Sequence, residues 1–318
     1  MSASFNRGTG MLIINVVNSN PNGDPDGESE PRTFEGDGRG LISPVSFKRK
    51  LRDLMANPKD EMIERKESNS REESEVRKSA LRAVGSPSAN RAFDILESRD
   101  RKRDQIDAMG PDSFRSKYWD ARVFGNTFLE SLKDDKDEKK SKRDKGHFIS
   151  TGVVQFGPGV SIAPIEIVRL TLTNKAGVEA GKDRGMAPLA FRVARHGLYA
   201  MPFFVNPSAA NKSGCDACDI DILKFLIPHA YAHTASGIRP QVQIVHAWYA
   251  EHKNALGSCP DPLLLSALKP KKLVDPEEPS RGIEEYEIPT ALPKDLRERL
   301  ESFEDLCAKE WAVASAAA

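Results

Sequence analysis

The spacing of apolar residues divides the chain into alternating strands and helices. Residues 11–18 are an almost unbroken apolar run, which is typical of a buried strand. Residues 162–173 end in a clean apolar–polar alternation that predicts a half-buried strand. Helical spacing of apolar residues over 44–56 predicts an amphipathic helix. The predicted order is strand 11–18, helix 44–56, strand 162–173, strand 197–205, helix 219–234 and strand 241–249.

The order β-α-β-β-α-β predicts an α+β fold of the split ferredoxin-like type, which RNA-recognition (RRM) domains use. The predicted RRM-like palm comprises residues 1–52 and 147–257. Residues 197–205 resemble the aromatic RNA-binding signature of RRM domains only distantly. The fold prediction therefore rests on the order of the strands and helices.

Two insertions and a C-terminal extension surround this palm. Residues 53–146 are highly charged, and their few apolar residues have helical spacing, which predicts a helical insertion. Residues 174–196 lie between the two middle strands. Residues 258–318 begin with a proline-rich extended segment and end, over 293–311, in a predicted amphipathic helix.

A glycine-rich loop followed by a basic helix is the arrangement most indicative of function. Asn20 to Pro25 spell NPNGDP, and glycines recur up to the Ser43-Pro44 pair that predicts the helix start. The predicted helix carries Lys48, Arg49 and Arg52 opposite its apolar stripe. Glycines let a ligand backbone approach and cations attract phosphate, so the arrangement favours RNA backbone binding. A merely solvated charged face is the alternative.

Composition limits the function classes. The chain has 47 basic and 47 acidic residues, so a nucleic-acid site requires local segregation of charge. The acids are then expected on other surfaces that face basic partners. Four cysteines in 318 residues do not make a disulfide framework, which predicts a cytoplasmic protein. No targeting segment or membrane span is predicted.

Two chemical alternatives arise from the sequence. Cys215 and Cys218 with His229 and His233 have zinc-ligand spacing, but the gap between the pairs is short and predicted to be helical. We therefore predict no metal and no cofactor there. The aspartates of the first loop could instead cleave RNA, although the NPNGDP pattern is typical of turn architecture.

The motifs NSNPNGDP at 18–25 and GRGLISPVSFKRKLR at 38–52 closely resemble the backbone subunit of type I-C Cascade, a CRISPR surveillance complex. That family belongs to the repeat-associated RNA-binding superfamily. The resemblance extends through Asp120–Gly125, Gly152–Gln155, Ser161–Ile165, Gly197–Tyr199 and His252–Gly257.

The resemblance implies a palm with helical fingers at 53–146 and a β-hairpin thumb at 174–196. It implies a non-catalytic protein that binds CRISPR RNA and assembles head to tail with further copies of itself. Other Cascade subunits would cap the guide ends, and target DNA would pair with the guide. An RNA-cleaving backbone subunit of a type III-like effector is the enzymatic alternative. The predicted RNA-binding residues are Asn20, Asn22, Lys48, Arg49, Arg52, Arg122, Gln155, Arg184, Met186 and Arg192.

Overall fold

The structure is a computed structural model of the 318-residue chain. It describes residues 5–56, 75–84, 91–98, 106, 109–128, 148–175 and 186–308. Among these residues, no helix combines the length and the apolar character needed to cross a lipid bilayer.

Antiparallel strands dominate the architecture, so the fold is a mixed α/β arrangement built on one large sheet. The sheet has eight strands in the order β12-β9-β1-β8-β6-β2, with β5 and β7 pairing with the long β8. Two small two-stranded sheets, β3-β4 and β10-β11, are separate from the large one. The strands are β1 (Gly8–Ser19), β2 (Arg39–Ile42), β3 (Gly125–Phe128), β4 (Phe148–Thr151), β5 (Val154–Phe156), β6 (Gly159–Pro164), β7 (Ile167–Lys175), β8 (Met186–Val205), β9 (Gln241–His252), β10 (Lys271–Lys272), β11 (Tyr286–Glu287) and β12 (Leu300–Asp305).

Helices pack on one face of the sheet and, later in the chain, on the other. The helices are α1 (Pro44–Met55), α2 (Glu75–Ala83), α3 (Pro111–Lys117), α4 (Trp119–Phe124), α5 (Ala210–Ser213), α6 (Ala217–His229), α7 (Asp261–Leu268) and α8 (Lys294–Arg297). A short 3-10 turn, Ala232–Thr234, follows α6. The predicted helix 219–234 therefore ends at His229, directly after Pro228, whose ring restricts the backbone.

The main core lies between the sheet and the helices α1, α2, α4 and α6. Alternate residues of β1 point into it, including Leu12, Ile14 and Val16. Gly10 permits close approach of an aromatic side chain, because a Cβ there would lie 2.1 Å from the Phe203 ring. Gly10 is thus required for the packing of Phe203 against β1.

The second core lies on the opposite face of the sheet. Met11 and Ile13 of β1 are buried there, against the C-terminal segment that contains α7 and α8. The fully buried His252 fixes this segment: its Nδ1 accepts hydrogen bonds from the Ser258 and Cys259 amides at 3.0 and 3.3 Å. The proline-rich extension is therefore a second layer over the sheet.

The prediction of a C-terminal helix over 293–311 is wrong. Between Pro293 and Asp305, Lys294–Arg297 is helical, whereas Leu300–Asp305 forms the edge strand β12 against β9. Leu300 packs in the second core whereas Leu306 packs in the main core. A helix would direct its apolar stripe toward one core only, whereas the strand and the turn after it place Leu300 and Leu306 in different cores.

Candidate nucleic-acid interface

The loop after β1 is an ordered structure in which two asparagines join distant segments. Asn20 Nδ2 donates to the carbonyl oxygens of Ser29 at 2.7 Å and Arg192 at 3.3 Å. Asn22 Oδ1 accepts from the Ser43 amide at 2.7 Å, immediately before α1. Both side chains are buried. The asparagines thus connect β1, β8 and α1 from within.

The aspartates of this loop take part in turns. Asp24 Oδ1 accepts a hydrogen bond from the Asp26 amide at 3.3 Å, and Arg32 lies 3.5 Å from the same oxygen. Asp37 likewise accepts from the Arg39 amide at 3.0 Å. Aspartates bonded to nearby amides are typical of turn architecture. This bonding favours the structural interpretation over the nucleolytic one.

The start of α1 follows directly from local sequence. Ser43 accepts from the Ser46 amide at 3.2 Å and Pro44 occupies the first helical turn. This cap places the cationic part of α1 at the end of the glycine-rich loop.

The cations of α1 separate into paired and unpaired groups. Arg49 forms an ion pair with Asp53 at 2.7 Å and donates to the Glu97 carbonyl oxygen at 2.9 Å. Arg52 is only 5% exposed and pairs with Asp120 and Glu97, both at 3.0 Å. The prediction that Arg52 projects away from the core is wrong, because a carboxylate of the insertion holds it inside.

Lys48 remains without a carboxylate within ion-pair distance among the described residues. Its Nζ lies 5.5 Å from the centroid of the Phe124 ring, on the side of the helix that faces the insertion. Burial, and then the charge of Arg52, lowers the pKa of Lys48. Lys48 is therefore a half-buried cation without full charge compensation.

Arg122 is also an internal residue. It is 1% exposed and its guanidinium bonds both carboxylate oxygens of the fully buried Asp219, at 2.9 to 3.3 Å. It also donates to three backbone carbonyl oxygens, those of Ala92, Arg115 and Ser116. The prediction that Arg122 contacts RNA conflicts with this placement. In the described conformation it joins the insertion to α6.

Three of the remaining predicted residues lie on β8 or beside it. Arg192 pairs with Glu28 at 2.8 Å and Glu30 at 2.5 Å, so it holds the loop that follows β1. Gln155 is half-buried and donates to the Gly152 carbonyl oxygen at 3.1 Å. Met186 begins β8, opposite Lys175 of β7. Arg184 lies outside the described residues.

Two cationic residues were missed by the sequence interpretation. Lys50 is 6% exposed, and its Nζ lies 5.1 Å from the centroid of the Tyr231 ring. Arg239 donates through Nε to the Asn20 carbonyl oxygen at 3.0 Å. Lys50 follows Lys48 by two helical positions and so points to the other side of α1. The basic run on α1 was the available signal, but nothing local indicated Arg239.

The face of the sheet opposite the main core is covered by the C-terminal segment over much of its area. Leu198 and Trp248 point to this face and are buried beneath the C-terminal segment. Bases cannot stack on side chains that lie inside a core. The candidate interface is therefore the end of the sheet where the first loop, α1 and the turn around Arg239 meet.

Cys215 and His229 lie near opposite ends of α6. Cys215 is buried near the start of α6 while His229 ends the same helix. Burial, then the neighbouring carboxylates Asp219 and Asp216, raises the pKa of the Cys215 thiol. Within the described parts of the chain, no group of three or more His, Cys, Asp or Glu residues could hold a metal ion.

Comparison with known proteins adds family information to this geometry. The family model described as "CRISPR-associated protein Cas7" matches residues 6–291. A Haloferax volcanii protein described as "CRISPR-associated protein Cas7" is 26% identical over 230 residues, or 70% of this chain and 63% of that protein. The chain thus spans less than two thirds of that relative's length.

Two solved structures share weaker similarity. A chain of a "CRISPR RNA-guided surveillance complex, pre-nicking" is 14% identical with a TM-score of 0.44, and the match covers 83% of each chain. A chain of a "CRISPR RNA-guided surveillance complex" is 14% identical with a TM-score of 0.39, and the match covers 81% of this chain and 75% of that one.

Proposed function

The chain belongs to the family of CRISPR-associated protein Cas7, and we propose that it is a non-catalytic backbone subunit that binds CRISPR RNA in a type I-C-like Cascade complex. Copies of the chain assemble head to tail along the guide, and other subunits cap its ends. The guide bases remain free to pair with target DNA, so base pairing provides the sequence specificity. The protein then acts in antiviral defence.

The observation that carries this proposal is the charge on α1. Arg49 and Arg52 are paired with carboxylates, whereas Lys48 and Lys50 have none within ion-pair distance among the described residues. Uncompensated cations at the end of a glycine-rich loop provide the local positive potential that phosphates require. A chain of zero net charge gains this potential only by such segregation.

The topology supports the proposed palm. Strands β9, β1, β8 and β6 are neighbours in that order, and α1 and α6 occupy the two crossover positions. In chain order these strands are fourth, first, third and second, which is the ferredoxin-like arrangement. The paired β7 and first half of β8 form an arm that we assign as the thumb, with Met186 at its distal end.

The first experiment asks whether the purified protein carries RNA. We expect discrete RNA of repeat-spacer length when the protein is co-expressed with a CRISPR array, and protein without bound RNA would contradict the proposal. Lys48→Met should lower affinity for every guide sequence and reduce the slope of log K against log salt by roughly 0.7. Lys269→Met is the matched control, because Lys269 is exposed on the C-terminal segment.

The second experiment tests the arm. Deletion of residues 181–187 should leave a folded monomer that binds RNA but forms no regular filament in negative-stain images. Regular filaments with the wild-type spacing of nuclease protection would contradict the thumb assignment.

A further inference from the structure

We propose that Lys50, Arg239, Asn20 and Tyr231 form a binding site for one ribonucleotide, with phosphate at the two cations and the ribose 2′-hydroxyl at Asn20 Oδ1. The inference rests on the proposed RNA-binding function and deepens it. The site explains how this chain would distinguish RNA from DNA.

The two cations lack a counter-charge. No carboxylate lies within ion-pair distance of Lys50 or Arg239 in the part of the chain that the structure describes, although such pairs are frequent elsewhere in it. Burial, and then the charge of Arg239, lowers the pKa of Lys50 to about 8, and Asp53 opposes this shift only in part. A buried, unpaired ammonium group destabilises a protein, so an anion that binds beside it offsets this destabilisation.

The side chain of Asn20 contributes an acceptor. Its Nδ2 donates to two carbonyl oxygens, which fixes the orientation of the amide and leaves Oδ1 as the opposite atom. Oδ1 is buried and has no hydrogen-bond donor. Because an unsatisfied buried acceptor costs free energy, this atom favours a ligand that brings a donor.

The hydroxyl of Tyr231 is the fourth group. It is buried and unpartnered, while its ring lies under Lys50 Nζ. Arg239 connects the cluster, because it bonds the Asn20 backbone and its charge acts on both Lys50 and Tyr231. Arg239 thus links the Asn20 backbone to the surroundings of Lys50 and Tyr231, where the first loop, α1 and the turn that follows α6 come together.

The hydrogen-bonding roles of these four groups indicate which class of ligand binds there. Phosphate oxygens only accept hydrogen bonds, so they suit Lys50, Arg239 and the Tyr231 hydroxyl but not Asn20 Oδ1. A ribose 2′-hydroxyl donates as well as accepts, and deoxyribose lacks it. A ribonucleotide satisfies all four groups and a deoxyribonucleotide leaves the acceptor unsatisfied.

The test varies the ligand as well as the protein, because replacement of Asn20 would also remove the two bonds that hold the loop. Affinities for a guide-length RNA and for its 2′-deoxy counterpart are measured with wild-type protein, Lys50→Met and the surface control Lys269→Met. Wild type should prefer RNA, and Lys50→Met should lose roughly ten-fold or more in RNA affinity. Lys50→Met should also melt no lower than wild type, because it removes an unpaired buried charge.

Each result of these binding and melting experiments leads to a different conclusion. Equal affinity of wild type for the two ligands would overturn the ribose contact, and RNA affinity of Lys50→Met equal to that of Lys269→Met would overturn the phosphate contact. A lowered melting temperature of Lys50→Met would assign Lys50 a structural role instead. Wild-type protein that binds neither ligand would refute the proposed function itself, and this inference with it.

Discussion

Arg122 offers the sharpest separation of a structural role from RNA binding. Replacement by Met keeps most of the apolar stem but removes the guanidinium that bonds both oxygens of Asp219. Three carbonyl oxygens lose a donor at the same time. Arg91 still pairs with the Asp219 carboxylate, so the remaining charge is partly compensated. The variant should be destabilised without any change at the RNA surface.

The magnitude follows from the burial of the pair. Removal of one partner of a buried ion pair costs about 3–5 kcal/mol, and because Arg91 still contacts Asp219, we expect a loss of about 3 kcal/mol. For a domain of this size, each kcal/mol lowers the melting temperature by roughly 2–4 °C, which gives a decrease of roughly 6–12 °C. The exposed Arg115, 46% accessible, is the matched control, and Arg115→Met should stay within about 0.5 kcal/mol of wild type.

The assay combines thermal and denaturant unfolding with RNA binding at a temperature where both variants are folded. We expect Arg122→Met to melt early while its folded fraction retains wild-type affinity and an unchanged salt slope. The reasoning would be refuted if Arg122→Met melted at the same temperature as Arg115→Met but lost RNA affinity. Arg122 would then be an RNA contact.

Three further predictions follow from particular contacts. RNA affinity should fall as pH rises from 7 to 9.5, because phosphate binds the protonated form of Lys50, whose pKa of about 8 lies in this window, and Lys50→Arg should flatten this profile in binding titrations. Gly10→Ala should lower the free energy of unfolding in urea by roughly 1–3 kcal/mol, because its Cβ would lie 2.1 Å from an aromatic ring. The control Gly110→Ala should leave the free energy of unfolding unchanged, because its Cβ would meet nothing within 4 Å. Asp24→Ala and Asp26→Ala should leave complementary RNA as intact as wild type does on denaturing gels; cleavage at regular spacing by wild type, abolished by either change, would place the protein among nucleases.

The sequence alone determined the elements whose causes are local. Strand β1 follows from an apolar run, and the start of α1 follows from the Ser43 cap and Pro44, which act within one helical turn. The turn bonds of Asp24 were likewise predictable, since they involve residues two positions away. Such features depend on neighbours in the chain, so local chemistry suffices to predict them.

Only the tertiary structure decided which charges are available to a ligand. Lys50 and Arg52 belong to the same basic run, yet Arg52 bonds Asp120, 68 positions along the chain, whereas the positive charge of Arg239 acts on Lys50. The C-terminal extension shows the same limit, because pairing with β9 converts an expected helix into the strand β12. Ion pairing and sheet pairing bring together residues that are remote in sequence, and the free energy of both depends on burial, which local patterns do not contain.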